Sequence, residues 1–348
     1  MTVTKIGVIG ASGYTGLELI KILVNHPFFE ISYVATTAGG IELDALHPSM
    51  KDVFSCTVEK ADTDEIIKRC DLVFLALPHQ ASMGFAKDLI DNGVKIVDLS
   101  ADYRLELETY EEYYCEHEDK EHLNQAVYGL PELYRDEIKK ARLVANPGCY
   151  PTASILALVP FTQYIDEKFP IFIDAKSGVS GAGKKCNEST HYISINENIL
   201  AYKVLNHRHE PEIKEKLFKQ SSKEFDVNFV PHLIPATRGE LIDAYMLINK
   251  EIDPIKVLKE FYKDEPFVRV FDKPVDIKSC GGTNFCDIYA QRKGNKLYVN
   301  SAVDNILRGS SSQAVANANL MCGYDENTAL PTICLLYTSD AADESVGV

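Results

Sequence analysis

Lys5–Val24 reads KIGVIGASGYTGLELIKILV. A short apolar run, KIGVI, enters a glycine-rich turn, GASGYTG, and leaves it as a segment with apolar residues at helical spacing. That order is strand, tight turn, helix. Glycines suit such a turn because the backbone must come close to a pyrophosphate. The helix N-terminus then presents N–H groups and the positive end of its dipole to the phosphate. Gly10, Gly13 and Gly16 are spaced GxxGxxG, not the GxGxxG of the usual dinucleotide fingerprint, so a plain βα turn is the alternative. Ser12, Tyr14 and Thr15 share the turn and join the glycines as cofactor-binding candidates.

Working outward, Ile31–Ala35, Asp71–Leu75 and Lys95–Leu99 read as further strands, with a helix-like stretch at Ala81–Ile90. Strands alternating with helices imply a parallel sheet covered on both faces. Right-handed crossovers then make residues 1–148 a Rossmann-type, doubly wound α/β domain. The end of its second strand selects the cofactor. An acid there would accept from the ribose 2′-hydroxyl of NAD and repel a 2′-phosphate. This chain has Thr36 and Thr37, with no acid until Glu42, which favours NADP. Pro78, in the LALPH segment after the third strand, is counted with the cofactor side.

Residues 149–305 have a different pattern. Pro170–Ala175, Phe225–Val230, Leu241–Ile248 and Lys296–Val303 are strand-like with few helices between them, as in an α+β domain with a mixed sheet. Helices are expected at Pro151–Val159 and Pro211–Gln220. A last helix at about Ser311–Met321 is expected to return to the first domain, so that residues 306–333 complete it. From Cys334 the chain reads CLLYTSDAADE, which matches one reading frame of a sequencing-library transposon end. Residues 334–348 are therefore expected to be a non-native tail.

The chain has 348 residues, enough for two cores, and a formal net charge of −15. That charge argues against nucleic acid, which requires a basic surface. No apolar run approaches the roughly 20 residues of a membrane helix, and the N-terminus lacks the features of a secretory signal. The nine cysteines are irregularly spaced with no CxxC pair, which signals no metal site and fits reduced thiols in a cytoplasmic protein.

The chemistry is concentrated in four segments. Asn146–Thr152, NPGCYPT, follows an apolar run and leads into a helix, with Pro151 suited to the first turn. Cys149 would sit at that helix N-terminus, which lowers a thiol from its usual pKa of ~8.5 toward thiolate. Buried filler is the common alternative for a cysteine. His207–Ile213, HRHEPEI, puts two histidines on one face of an extended segment, with Arg208 between them and Glu212 in the first turn of the next helix. A structural pair or a metal pair is the other reading. Asp98–Arg104, DLSADYR, lies at the carboxyl end of the sheet, where Ser100 and Arg104 could meet a carboxylate or phosphate. Ser177–Lys184, SGVSGAGK, offers Ser177, Gly178, Ser180 and Gly181 to an anion or a nicotinamide edge.

GASGYTGLEL, LALPH, DLSADYRL, NPGCYPT, SGVSGAG, HRHEPEI, PHLIPATRGE and DNILRGSSSQAVANANLM occur in this order between residue 1 and about 333. Together they resemble the N-acetyl-gamma-glutamyl-phosphate reductases of arginine biosynthesis, whose fold is shared with aspartate-semialdehyde dehydrogenase. The resemblance implies an NADP-binding Rossmann domain, a catalytic and dimerisation domain, and a homodimer or homotetramer acting on a small molecule. It makes Cys149 the nucleophile, His209 (or, second, His207) the acid–base, Arg104 the substrate arginine, and Asp304, Asn305 and Gly309 the lining of the nicotinamide site. Two departures stand out: Gln80 where the family has glycine after PH, and GSSSQA where it shows GAAGQA before the last helix. A reductase of a carrier-linked acyl phosphate and a non-catalytic NADP sensor are the rival readings.

Overall fold

The computed structural model describes residues 3–334. Of the expected tail, only Cys334 falls within them and the rest lies outside the described residues. The chain forms two compact units. The first comprises the chain up to Gly148, Gly183–Lys185 and Gly309–Leu330. The second comprises Cys149–Ala182, Cys186–Arg308 and the segment from Pro331. The segment that returns to the first unit is Gly309–Leu330.

The first unit holds β1 (Thr4–Ile9), β2 (Phe29–Thr36), β3 (Ile41–Glu42), β4 (Thr57–Lys60), β5 (Leu72–Leu75), β6 (Lys95–Asp98), β7 (Val127–Tyr128) and β8 (Leu143–Ala145). They lie in the order β3-β4-β2-β1-β5-β6-β8-β7. All neighbours are parallel except the two-residue β3, which runs antiparallel to β4. The order reverses between β1 and β5, so the glycine turn after β1 and the loop after β5 share the switch point where open sheets bind ligands. Ile6, Val8, Leu72, Val73, Phe74, Leu75, Ile96 and Val97 are fully buried, as a parallel sheet covered on both faces requires. The helix Ser312–Met321 packs against α1 (Tyr14–Leu23), the helix Pro131–Ile138 and β6. Its sequence, SQAVANANLM, carries the polar residues Ser312, Gln313, Asn317 and Asn319, yet every residue is buried. The amides make this possible by finding partners: Asn317 Nδ2 donates to Gly129 O (2.9 Å) and Asn146 Oδ1 (3.0 Å), and Asn319 Oδ1 meets His26 Nε2 at 2.9 Å.

The second unit holds β9 (Ile171–Gly178), β10 (Leu200–Ala201), β11 (Val227–Ile234), β12 (Glu240–Leu247), β13 (Val268–Val270), β14 (Cys286–Lys293) and β15 (Lys296–Val303), in the order β10-β11-β9-β12-β15-β14-β13. β9 and β11 are parallel, as are β13 and β14, and the other pairs are antiparallel, which makes the sheet mixed. Two helices, α2 (Cys149–Leu158) and α3 (His209–Ser221), belong to this unit. α2 packs on β12 and β15, and α3 on α2 and β11. α2 is apolar on all sides and buried from Tyr150 to its end, as expected of a core helix. β9 shows the sheet's two faces: Ile171, Ile173 and Ala175 are buried, while Phe172 is 54% exposed. β14 was not among the strands read from sequence, although the two-residue turn Gly294–Asn295 before β15 is a hairpin signal.

Candidate active site

Cys149 is the first residue of α2, and Pro151 occupies the first turn, where its missing N–H costs nothing. The turn before it is held within the first unit. Arg104 Nε donates to Asn146 O (2.7 Å), Asn146 N to Asp98 O (2.8 Å), and Asn146 Nδ2 to Ser310 O (3.1 Å). Cys149 is half-buried and, like every described cysteine, is in no disulfide. Burial raises the thiols of Cys56 (to about 11), Cys70, Cys280 and Cys322, which leaves them protonated and inert.

Cys149's neighbour, Tyr150, links it to both histidines. Its ring meets those of His207 (5.7 Å) and His209 (5.8 Å) edge-on, and the two imidazoles lie 4.8 Å apart. The Tyr150 hydroxyl lies 3.2 Å from that of Tyr202, whose ring closes the far side of His207 at 5.6 Å. The two histidines sit differently in the backbone. His207 Nδ1 accepts the backbone N–H of His209 (3.2 Å) at the start of α3. Burial, helped by the Lys203 and Arg208 charges, pulls its imidazole down to about 3. His207 is therefore neutral at physiological pH, with its proton on Nε2. Glu212 is buried in the first turn of α3, and its charge acts on Lys216 one turn on. Among the described residues no group of three His, Cys, Asp or Glu side chains could hold a metal.

The Asp98–Arg104 loop is internally bonded. Ser100 Oγ donates to Asp98 Oδ2 (2.7 Å) and accepts the Asp102 N–H (3.0 Å). Burial and the nearby Asp102 raise the Asp98 carboxyl to about 6. Asp102 accepts from Gln80 N (2.8 Å), Ser82 N (3.2 Å) and Tyr110 OH (3.0 Å), which ties the loop to the Pro78–Ser82 turn. Gln80 has φ +74, the region where glycine carries no penalty. Arg104 is buried, and it also donates Nη2–H to Leu99 O (2.7 Å), so its guanidinium is fixed in place.

At the β1 turn the three glycines differ. Gly10 has φ +93, and a Cβ there would lie 2.1 Å from Ala76 O. A Cβ on Gly16 would lie 2.5 Å from Gly10 O. Both are required by the chain's own packing. Gly13, at the N-cap of α1 with φ −80 and ψ 167, would meet nothing closer than 3.7 Å. Ser12 O accepts from Lys184 Nζ at 3.3 Å, and the Thr15 hydroxyl lies 3.3 Å from that of Ser310, beside Gly309. Thr36 ends β2, and its Oγ1 accepts from Gly39 N (3.0 Å), while Thr37 is exposed. The β2–β4 register sets Lys60 directly beside Thr36, a cation that sequence reading missed because β4 is located only by pairing.

In the second unit, Asn305 ties a loop cluster together. Its Oδ1 accepts from Gly239 N (2.8 Å) and its Nδ2 donates to Ser180 Oγ (3.1 Å). Ser177 and Gly178 end β9, where a Cβ on Gly178 would lie 2.8 Å from Arg238 N. Gly181 approaches Ser177 Oγ and Asn305 Nδ2 in the same way. Asp304 accepts from Gly282, Ile306 and Leu307 N–H groups. A further residue, Glu240 at the start of β12, is fully buried, neither of its carboxyl oxygens has a hydrogen-bond partner, and burial raises its carboxyl to about 8. Sequence reading carried no signal for it, since an acid opening a strand reads as exposed.

Two family models match: "Semialdehyde dehydrogenase, NAD binding domain" over residues 5–141 and "Semialdehyde dehydrogenase, dimerisation domain" over residues 149–305. The N-acetyl-gamma-glutamyl-phosphate reductase of Sulfurovum sp. is 61% identical over 329 residues, 94% of this chain and 98% of that protein. That of Sulfurimonas denitrificans is 57% identical over 334 residues, 96% and 99% of the two chains. Among solved structures, aspartate semialdehyde dehydrogenase II of Vibrio cholerae aligns with a TM-score of 0.72 over 93% of this chain and 99% of its own. At 14% identity that likeness shows the fold.

Proposed function

This chain belongs to the family of N-acetyl-gamma-glutamyl-phosphate reductases, and on that premise we propose how its residues carry the reaction, the NADPH-dependent reduction of N-acetyl-gamma-glutamyl phosphate to the semialdehyde with release of phosphate. The observation that carries the assignment is Cys149 at the head of a buried helix, joined through Tyr150 to a neutral His207 and to His209. The Cys149 thiolate attacks the acyl carbon and expels phosphate, leaving a thioester on the sulfur. N–H groups of the first turn of α2 face the developing oxyanion. His209 acts as the acid–base on the thiohemiacetal oxygen, and His207 holds α3 in place by accepting the His209 N–H. Arg104, with its guanidinium fixed by two carbonyls, is the proposed partner of the substrate's anionic groups, supported by Ser100 and Arg208.

The first unit fits a dinucleotide. Gly13 leaves open the space a Cβ would fill at the N-terminus of α1, and that opening is not required by the chain's own packing. Lys60 beside Thr36 supplies a cation where a 2′-phosphate would lie. NADPH, when bound, supplies the hydride that reduces the thioester. Ser177, Gly178, Ser180, Gly181, Asn305 and Gly309 are the proposed lining of the nicotinamide site. Replacing Cys149 with Ser is expected to abolish NADP reduction by N-acetylglutamate semialdehyde and phosphate while NADPH still binds. Retained turnover would overturn the mechanism.

The outer face of the seven-stranded sheet supports a homodimer. Phe172 and Tyr245 are about half exposed there and line, with Tyr298, an apolar depression of about 460 Å³. Exposed apolar surface of this kind marks an interaction site. A cytoplasmic location is proposed from described cysteines that form no disulfide; no described helix is long and apolar enough to cross a membrane. Sedimentation equilibrium at micromolar concentration is expected to give at least twice the chain mass.

A further inference from the structure

Resting on the reading of the β1 turn as the dinucleotide site, we propose that Lys184 is a further cofactor-binding residue, whose ammonium meets the pyrophosphate of NADPH over the start of α1. The SGVSGAGK segment gives serines and glycines to the nicotinamide lining, and its last residue has no part in that lining. Lys184 belongs to the first unit, in the short stretch Gly183–Lys185. Gly183 has φ +82, and a Cβ there would meet nothing within 4 Å, so the backbone conformation, not crowding, calls for glycine. The turn it makes leads into Lys184, whose Nζ donates to Ser12 O at 3.3 Å in the turn between β1 and α1.

The turn is arranged for an anion. Leu17 N donates to Gly13 O at 3.1 Å, so the N–H groups of Tyr14, Thr15 and Gly16 lie ahead of the first intrahelical bond of α1. Gly13, at the N-cap, brings them no side chain, and the first turn carries no acid. Glu18, the next acid along, is paired with Lys21 at 2.9 Å. Lys184 itself makes no ion pair among the described residues, and its contact is a neutral carbonyl. In a chain with 51 Asp and Glu against 36 Lys and Arg, a cation set on a turn without a carboxylate is the exception. An ammonium has three donors, and Ser12 O takes one. The others face solvent, where a phosphate oxygen would accept a charge-assisted bond.

Two lysines then divide the cofactor's phosphates between them. Lys60 stands beside Thr36 at the end of β2, where the 2′-phosphate would lie. Lys184 stands on the glycine turn, where the pyrophosphate would lie. The 2′-phosphate distinguishes NADPH from NADH, whereas both carry the pyrophosphate. Lys184 therefore adds affinity for any ligand with a phosphate at that turn and does not set the preference for NADPH.

The test reads binding alone, in the full chain. Fluorescence titration gives the Kd of NADPH. Its displacement gives those of adenosine 2′-monophosphate and adenosine 2′,5′-bisphosphate, which differ by the 5′-phosphate that occupies the pyrophosphate position. Lys184→Met is expected to weaken NADPH and the bisphosphate by about three- to tenfold, the loss of one exposed charge-assisted contact, and to leave the monophosphate within about twofold. Lys185→Met removes the same charge one residue along and is expected to bind all three ligands as the wild type does. Unchanged bisphosphate affinity in Lys184→Met, an equal loss for the monophosphate, or the same loss in Lys185→Met would each overturn the proposal. A wild type that binds both nucleotides equally would overturn the reading of the turn itself, because the 5′-phosphate would then add nothing there.

Discussion

Gly13→Ala separates glycine kept for a ligand from glycine kept for the fold. A methyl at Gly13 lies 3.7 Å from Gly10 O, an ordinary contact, and the backbone there, φ −80 and ψ 167, is open to any residue. Alanine is a poorer N-cap than glycine, but it also narrows the unfolded ensemble by about 0.4–1 kcal/mol, so the two effects nearly cancel. The melting temperature should shift by no more than about 2 °C. NADPH binding should behave differently. The methyl stands where a pyrophosphate would meet the first N–H groups of α1, and losing one hydrogen bond to a charged group costs about 1.5–3 kcal/mol, roughly a ten- to hundredfold weaker Kd. Fluorescence titration of NADPH measures this directly. Gly10→Ala is the control: its Cβ would lie 2.1 Å from Ala76 O at φ +93, and that variant should lose the fold of the first unit. A folded Gly13→Ala protein that binds NADPH as tightly as the wild type would refute the reasoning.

Gln80→Gly relieves a left-handed backbone at φ +74 and should raise stability by about 0.5 kcal/mol, read as a small upward shift in thermal melting. His209→Gln should lower kcat by about 10²–10⁴, whereas His207→Gln, which disturbs the acceptor at the start of α3, should mainly cost about 1 kcal/mol of stability. Burial raises Glu240 from an ordinary 4.5 to about 8, so between these values the folded chain keeps a proton that the unfolded chain has released. Its contribution is present at low pH and fades as pH rises through 8, by up to about 1.4 kcal/mol per pH unit. Urea melts of the wild type at pH 6, 7 and 8 should show that loss, and Glu240→Leu should flatten it.

KIGVIGASGYTG was enough for the first unit, because a buried parallel strand is a continuous apolar run and the turn after it needs glycine for reasons of local sterics. NPGCYPT was enough to place Cys149 at the start of a helix, because helix starts are written in adjacent residues. Sequence alone could not say which of the three turn glycines serves packing, since Gly10 is required by Ala76, which follows β5 far along the chain, and Gly16 by how closely the folded turn brings it to Gly10 O. Nor could it distinguish His207 from His209: the two imidazoles differ because one accepts a backbone N–H and is sealed by Tyr150 and Tyr202, contacts spread over many residues. The strand β14 was missed because its apolar residues are interrupted by polar ones that only the β15 pairing accounts for. Lys60 and Glu240 were illegible for the same reason. A charged residue at a strand end reads as solvated, and only the register of β4 beside β2 puts the first beside Thr36, and only the packing of α2 onto β12 buries the second.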